Sequence, residues 1–332
     1  MKCFQPIKSP YGLFLWEANS PARFELLPPE RRAAILLTQK RLKSTERVVI
    51  IMLKMRFPGG LKKAVTLSYD DGLFDDIRLM ELMDKYGAKG TFNVSSGIYR
   101  EEGTQPDGGW PRMTKTEAFK EYKAHGVEIA VHGLEHRDFT RLTEAELNYE
   151  ISADRANLEA QYGIVVRGAA YPYGSYNDTA VEALRKNGIK YCRTVGCRED
   201  FGMPEDWLRL FATAHHKNPK LMELAQKFVD MDTDDPRMFY LWGHTAEFRN
   251  DNNWEVIENF LKFMNEHKEQ IWFATNIEIC EYHKAYQALE YSVSPETRMI
   301  YNPTAKEIWL ARGNWYRSDE VISVKPGETI KY

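Results

Sequence analysis

The sequence predicts an α/β fold: a closed or nearly closed parallel (β/α) barrel of seven or eight units, followed by a small C-terminal antiparallel β appendage. Three observations carry this reading. From residue 64 onward, short β-rich runs alternate with helical patterns. Runs such as AVTLSY at 64–69 and VEIAVH at 127–132 are nearly continuous in apolar residues, as parallel strands covered on both faces are. Seven or eight such repeats within about 230 residues suit a closed or nearly closed ring better than an open sheet.

The expected strands, in order, are 64–69, 90–95, 127–131, 165–171, 189–194, 208–214, 238–242 and 271–275. Between them fall helical patterns at 74–86, 115–124, 143–162, 179–186, 221–229, 254–267 and 277–289. Gly87, Gly126, Gly163 and Gly188 stand where left-handed helix caps are needed. Thr143 with Glu146 forms a capping box. Beyond residue 289 the texture changes to apolar–polar alternation, broken by Asn302-Pro303, Gly313 and Pro326-Gly327, which reads as antiparallel strands. The expected organisation is an extension over 1–54 outside the fold, a catalytic domain over 55–290 and the appendage over 291–332. Met55 reads as a natural start that leads directly into the first strand.

The composition is that of a soluble globular protein, 43% hydrophobic and 28% charged. Residues 1–54 carry ten Lys/Arg against four Asp/Glu, so the net charge of −3 hides +6 there and −9 in the remainder. An acidic body argues against a nucleic-acid partner. No run approaches the roughly 20 apolar residues of a membrane helix, and no export signal is visible at Met1 or Met55. The expected compartment is the cytoplasm. The four cysteines do not make a disulfide framework in a chain of 332 residues; buried free thiols are the reading. Oligomeric state is left open.

Chemistry concentrates at expected strand ends, which form the functional face of a parallel barrel. The first strand ends in Tyr69-Asp70-Asp71-Gly72. Two adjacent carboxylates repel unless a cation or proton relieves them, although either could cap the helix expected from residue 74. The third ends in His132-Gly133-Leu134-Glu135-His136, where two histidines four apart reach one metal from one side of a helical turn. Two histidines and an aspartate leave open positions, as catalytic zinc does. The fourth ends in the sharp turn Ala170-Tyr171-Pro172-Tyr173-Gly174, which can aim a backbone N–H at a developing oxyanion. The seventh ends in Trp242-Gly243-His244.

Taken in order, SYDDG, HGLEH, AYPYG, EDW and LWGH resemble the five motifs of the polysaccharide deacetylases over roughly residues 62–285. The resemblance implies a distorted (β/α) barrel that hydrolyses N- or O-acetyl groups on sugars with one divalent metal, zinc first, with Co, Ni, Mn or Fe as alternatives. It implies Asp70 as general base, Asp71, His132 and His136 as metal ligands, and Tyr173 as the backbone donor to the oxyanion. His244 would be the general acid, Asp206 the aspartate that orients it and Trp207 a wall of the groove. Tyr69, Trp242, His215 and His216, with Trp110, are candidate contacts to a small or oligomeric sugar, and the 248–254 loop is expected to help close the pocket. Two positions depart from the pattern. Gly133 replaces a Ser or Thr, and Ala170 replaces the arginine that holds the general base; Arg167 is the nearest substitute, though it points to the opposite face of a strand.

Three other readings fit parts of this set. A non-haem iron oxygenase also uses two histidines and a carboxylate, but the β/α alternation and the second aspartate count against it. A hydrolase of small non-sugar amides, or a sugar-binding relative with impaired catalysis, would keep the same fold.

Overall fold

Strand β2, Lys63–Asp70, is buried along its whole length, and its side chains alternate between two surroundings. Val65, Leu67 and Tyr69 pack with helical residues such as Leu79, Met83 and Ile257, whereas Thr66, Ser68 and Asp70 point the other way. The same period of two runs through the neighbouring strands: Phe239 and Leu241 face the helices, while Tyr240 and Trp242 belong to the second cluster. The molecule is thus a ring of strands with a partly polar interior and a helical coat. This computed structural model describes residues 52–294, 296–313 and 318–332.

All the strands of the ring are parallel. β2 pairs with β3 (Gly90–Val94) and β3 with β4 (Glu128–Val131). β4 continues through β5 (Gly168–Ala170) to β6 (Tyr191–Cys197). On its other edge β2 pairs with β9 (Arg237–Gly243). Closure falls to one interrupted strand. β7 (Leu210–Ala212) pairs with β6 and, one residue on, β8 (Ala214–His215) pairs with β9. The break comes at Thr213, whose N–H donates to Tyr240 O at 2.9 Å. β10 (Ile271–Phe273) adds beside the first half of β2.

The connecting helices are α1 (Asp76–Tyr86), α2 (Lys115–His125), α3 (Glu144–Tyr162), α4 (Asp178–Lys186), α5 (Leu221–Asp230), α6 (Thr245–Asn250), α7 (Glu255–Glu266) and α8 (Asn276–Gln287). Capping boxes at Thr114/Glu117, Thr143/Glu146 and Thr275/Glu278 begin α2, α3 and α8, each cap contributing about 1 kcal/mol. Every expected strand and helix is present. β5 is shorter than 165–171, the 208–214 run is split in two, and α6 is an addition that local periodicity does not announce.

The antiparallel appendage is two small sheets. One orders β11 (Glu290–Tyr291), β12 (Met299–Tyr301) and β15 (Thr329–Lys331); the other orders β1 (Met52–Arg56), β13 (Ile308–Gly313) and β14 (Ser318–Val324). The expected boundary after residue 54 therefore falls inside a strand. Met52, Leu53 and Lys54 lie opposite Gly313, Arg312 and Ala311, because β13, paired with β14 on one side, has an open edge on the other that takes the segment ahead of the barrel as its partner. Residues 52–332 form one compact unit. The expectation for residues 1–51 lies outside the described residues. Among the described residues, no helix is long and apolar enough to cross a membrane.

Candidate active site

Asp70 is the last residue of β2 and points into the ring, 2% exposed. Its Oδ1 accepts Asn93 Nδ2 at 2.8 Å, and its Oδ2 pairs with the guanidinium of Arg193. Two imidazoles flank it, with His132 Nε2 at 3.9 Å and His244 Nε2 at 3.8 Å from Oδ2. Burial alone would raise the pKa of this carboxyl. Arg193, then the two histidines and the Asn93 hydrogen bond, outweigh burial and hold it down at about 2, so Asp70 is ionised at neutral pH. Neither Asp70 nor Asp71 caps a helix, since α1 begins later, after Asp75.

One residue on, the chain turns sharply and Asp71 takes φ = 80°. Its Oδ1 lies 3.5 Å from His136 Nε2 and 3.0 Å from Arg112 Nη2. His136, at φ = 56°, is likewise in left-handed backbone, a conformation that costs a non-glycine residue about 1–3 kcal/mol and collects at functional sites. The 132–136 stretch is a tight turn in which His136 N–H donates to Gly133 O at 3.4 Å, not the helical turn the spacing suggests; the His132 and His136 rings still meet, 4.8 Å apart. One ligand atom from each of Asp71, His132 and His136 lies within 4.8 Å of the others. His132 Nδ1 is spent on Ala170 O at 2.9 Å, which leaves the Nε2 lone pair toward the cluster, the arrangement that metal-ligating histidines use. Burial, with His132 beside it, pushes the His136 pKa down and keeps that ring neutral. The donor set and its tautomer fit a divalent cation.

The loop is fastened from α3. Glu150 Oε2 accepts Glu135 N at 3.0 Å, and Asp154 accepts His132 N at 3.0 Å and Ser96 N at 2.7 Å. Gly133 fits this support. It sits at φ = 78°, and a Cβ there would meet Phe139 at 3.0 Å and Pro172 at 3.3 Å, so a Ser or Thr side chain has no room. At Ala170 the arginine is relocated. Ala170 and Arg193 are register partners on β5 and β6, and it is Arg193, fully buried and stacked 4.3 Å over Trp242, that reaches Asp70. Arg167 does not substitute, because it faces outward and pairs with Glu281.

His244 follows β9. Its Nδ1 lies 3.4 Å from Glu247 Oε2, and the Trp110 ring stands edge-on to it at 5.2 Å. Trp110 is 46% exposed, and its loop is pinned where Arg249 and Asn250 each donate to Gly109 O at 3.0 Å. Tyr173, at φ = 59° and 64% exposed, stands edge-on to His136 at 4.7 Å. These two exposed aromatics flank the cluster from opposite loops.

Several expected contacts are elsewhere. Asp206 caps the turn at Leu208 and pairs with Arg209; the carboxylate beside His244 Nδ1 is that of Glu247. Trp207 is buried and donates to His283 Nδ1 at 3.0 Å, so it is no groove wall. Tyr69 occupies an outward position of β2, where it is buried and stacks on His216 at 5.8 Å. His216 is buried between Tyr69 and Phe248, while Phe248 and Trp254 belong to the core rather than to a closing loop. His215 does stand at the rim, edge-on to the buried Trp242 at 4.6 Å. Cys192 and Cys280 are buried free thiols, and Cys197 is exposed.

Residues 59–192 match the family model for polysaccharide deacetylase. The curated Bacillus subtilis (strain 168) protein named Putative polysaccharide deacetylase YxkH is 25% identical over 131 residues, covering 39% of this chain and 43% of that one. The match thus spans less than half of that relative. A crystal structure described as "putative polysaccharide deacetylase from Mycobacterium smegmatis" superposes with a TM-score of 0.51 at 15% identity, over 74% of this chain and 98% of that one. A family 4 carbohydrate esterase from Streptomyces lividans, in complex with acetate, has a TM-score of 0.43 at 14% identity, over 64% and 92% of the two chains. The matched segment contains Asp70, Asp71, His132, His136 and Tyr173, and stops one residue before Arg193. Residues 59–192 thus carry the match to the polysaccharide deacetylase model, on a barrel fold shared with the mycobacterial structure.

Proposed function

We propose that the protein is a metal-dependent hydrolase that removes N- or O-acetyl groups from a carbohydrate, a small or oligomeric sugar. The observation that carries this reading is the placement of Asp70: an ionised, buried carboxylate with the Asp71–His132–His136 cluster on one side and His244 on the other. Asp71, His132 and His136 would hold a divalent cation, zinc being the best match to two imidazoles and a carboxylate. When bound, such an ion supplies Lewis acidity toward an acetyl carbonyl and lowers the pKa of water.

The chain's own groups divide the rest. Asp70 accepts a proton from the attacking water. Arg193 and Asn93 fix the orientation of that carboxylate. The backbone N–H of Tyr173 is the donor to the developing oxyanion. His244 protonates the departing nitrogen or oxygen. Trp110 and the Tyr173 ring offer exposed aromatic faces to a sugar ring, as amphipathic aromatics do.

Arg193 also favours activity over an impaired sugar-binding relative, since the brace missing at Ala170 is supplied from the adjacent strand. The test is turnover by zinc-loaded protein on acetylated mono- and disaccharides, on polymers carrying the same acetyl group and on small non-sugar amides. Asp70→Asn should abolish turnover and leave metal content unchanged. Turnover confined to non-sugar amides, or an active Asp70→Asn variant, would overturn the proposal.

A further inference from the structure

The rim holds a second group of ionisable side chains beside the metal cluster. Glu247 Oε2 lies 3.2 Å from His215 Nε2, 3.3 Å from His216 Nε2 and 3.4 Å from His244 Nδ1, and Oε1 lies 3.4 Å from Lys217 Nζ. Such spacings suit either a second cation or a carboxylate held by hydrogen bonds. The outer ring nitrogens decide between them. His132 donates its Nδ1–H to a carbonyl and keeps the Nε2 lone pair free. His215 is turned the other way: its Nδ1 accepts the Lys217 backbone N–H at 3.1 Å, so the neutral ring carries its proton on Nε2, aimed at Glu247. A nitrogen that offers a proton has no lone pair for a metal. The His216 nitrogens are out of line for any hydrogen bond, and burial holds its pKa down at about 3.

We infer that Glu247, set in place by His215 and Lys217, is the positioning residue of His244: it holds the proton on Nδ1 and turns Nε2 toward the leaving group. The inference rests on the deacetylase reading above, and it gives Glu247 the place that the family resemblance assigns to Asp206. The groups facing His244 are Asp70 at the end of β2, Asp71 in the turn that follows, Glu247 from α6, His215 at the end of β8 and His216 just after it. Burial lowers the His244 pKa, but the hydrogen bond to Glu247, followed by Asp70 and Asp71, reverses this and leaves it raised. Burial likewise works against the Glu247 charge, and His215 and His244 overcome it.

The proton count closes over a cycle. The C–N or C–O bond to the acetyl carbon breaks, its electron pair stays with the leaving atom, and that atom takes the Nε2 proton of charged His244. The neutral ring keeps Nδ1–H on Glu247, which stays ionised throughout. Asp70, protonated by the attacking water, then returns a proton to His244 Nε2 through one water molecule, the two atoms lying 3.8 Å apart.

The test compares wild type, Glu247→Gln, Glu247→Asp and Asp206→Asn, each zinc-loaded. Three readouts are taken: the imidazole ¹⁵N titration of His244, turnover on an acetylated amino sugar and on 4-nitrophenyl acetate, whose leaving group needs no proton, and metal per chain. Glu247→Gln should lower the His244 pKa and reduce amide turnover about 100-fold, while activated-ester turnover stays within about threefold and metal content is unchanged. Glu247→Asp should fall between and stands in if the Gln variant does not fold. Asp206→Asn should behave as wild type. An unshifted His244 titration in Glu247→Gln, the same losses in Asp206→Asn, or loss of a second metal ion on replacing Glu247 would overturn the inference. Failure of the wild type on both substrates would instead remove the deacetylase reading, and the titration would still decide the place of Glu247.

Discussion

Ala170 and Arg193 lie side by side in register on β5 and β6, and the guanidinium of Arg193 reaches Asp70. The positive charge beside Asp70 thus comes from the next strand along. Each is fully buried, so the two charges depend on one another. Breaking such a pair from one side costs about 3–5 kcal/mol, because the remaining charge is left unpaired.

Arg193→Met should therefore destabilise the protein by about 3–5 kcal/mol, whereas the same change in an Asp70→Asn background should cost much less. A double-mutant cycle from denaturant unfolding measures the coupling. Additive effects would show that the pair is not the unit described.

If Asp71, His132 and His136 hold a catalytic cation as proposed, removing it should silence turnover. Dialysis against a chelator is expected to abolish turnover, and one equivalent of zinc to restore it. His132→Ala and His136→Ala should each lower bound metal below one ion per chain, whereas Asp70→Asn should not. Full metal occupancy in His132→Ala, measured by elemental analysis, would move the site elsewhere.

Asp76 sets a pH dependence of stability that is independent of catalysis. It is buried and accepts hydroxyl protons from Tyr122 and Thr245, each at 2.6 Å. Burial, with Asp71 and Asp75 adding to it, outweighs those hydrogen bonds and raises its pKa to about 8. The unfolded carboxyl titrates near about 3.9, so the folded state binds the extra proton. The stabilisation is complete below that value and is lost as the pH rises toward about 8. The melting temperature should fall between about pH 5 and pH 8, and Asp76→Asn should flatten that slope. An equal slope in both proteins would count against the assignment.

A chain that begins at Met55 removes three of the five residues of β1, those opposite Ala311, Arg312 and Gly313. It should melt at a lower temperature than one that begins at Met52. Equal melting curves would show that this pairing contributes nothing to stability.

Trp110→Ala should raise KM for an acetylated disaccharide several-fold with a smaller change in kcat, as loss of a stacking surface does. A pure kcat effect would place Trp110 in the chemistry through its contact with His244.

Much of the barrel was legible because buried parallel strands announce themselves as apolar runs and because caps such as Thr143/Glu146 are local. Asp70, Asp71, His132 and His244 could be placed on one rim because each follows such a run directly. Tyr69 shows the limit. It adjoins Asp70 in sequence, but the period of two sends it to the helical coat. The same period contained the missed signal for Arg193, a charge within an otherwise apolar strand that must face inward or be paired. Glu247, three residues beyond His244 and on the same side of a helical turn, was also available. Asp206 misled because a short motif carries no distance to its partner. The pairing of β1 with β13 was not legible at all, since contacts between segments so far apart in the chain leave no local pattern.

The ring is unevenly built. β2 and β9 are matched along seven residues, but β4 and β5 share one register pair, and the strand interrupted at Thr213 contributes two on each side. Arg193 stands in the sparse half and Asp70 in the dense half, and their bond crosses the lumen between strands that are not neighbours. It acts as a tie-rod across the hoop. Any loosening of the sparse wall pulls on Asp70, so on the proposed reading a partly opened molecule would lose activity before it unfolds.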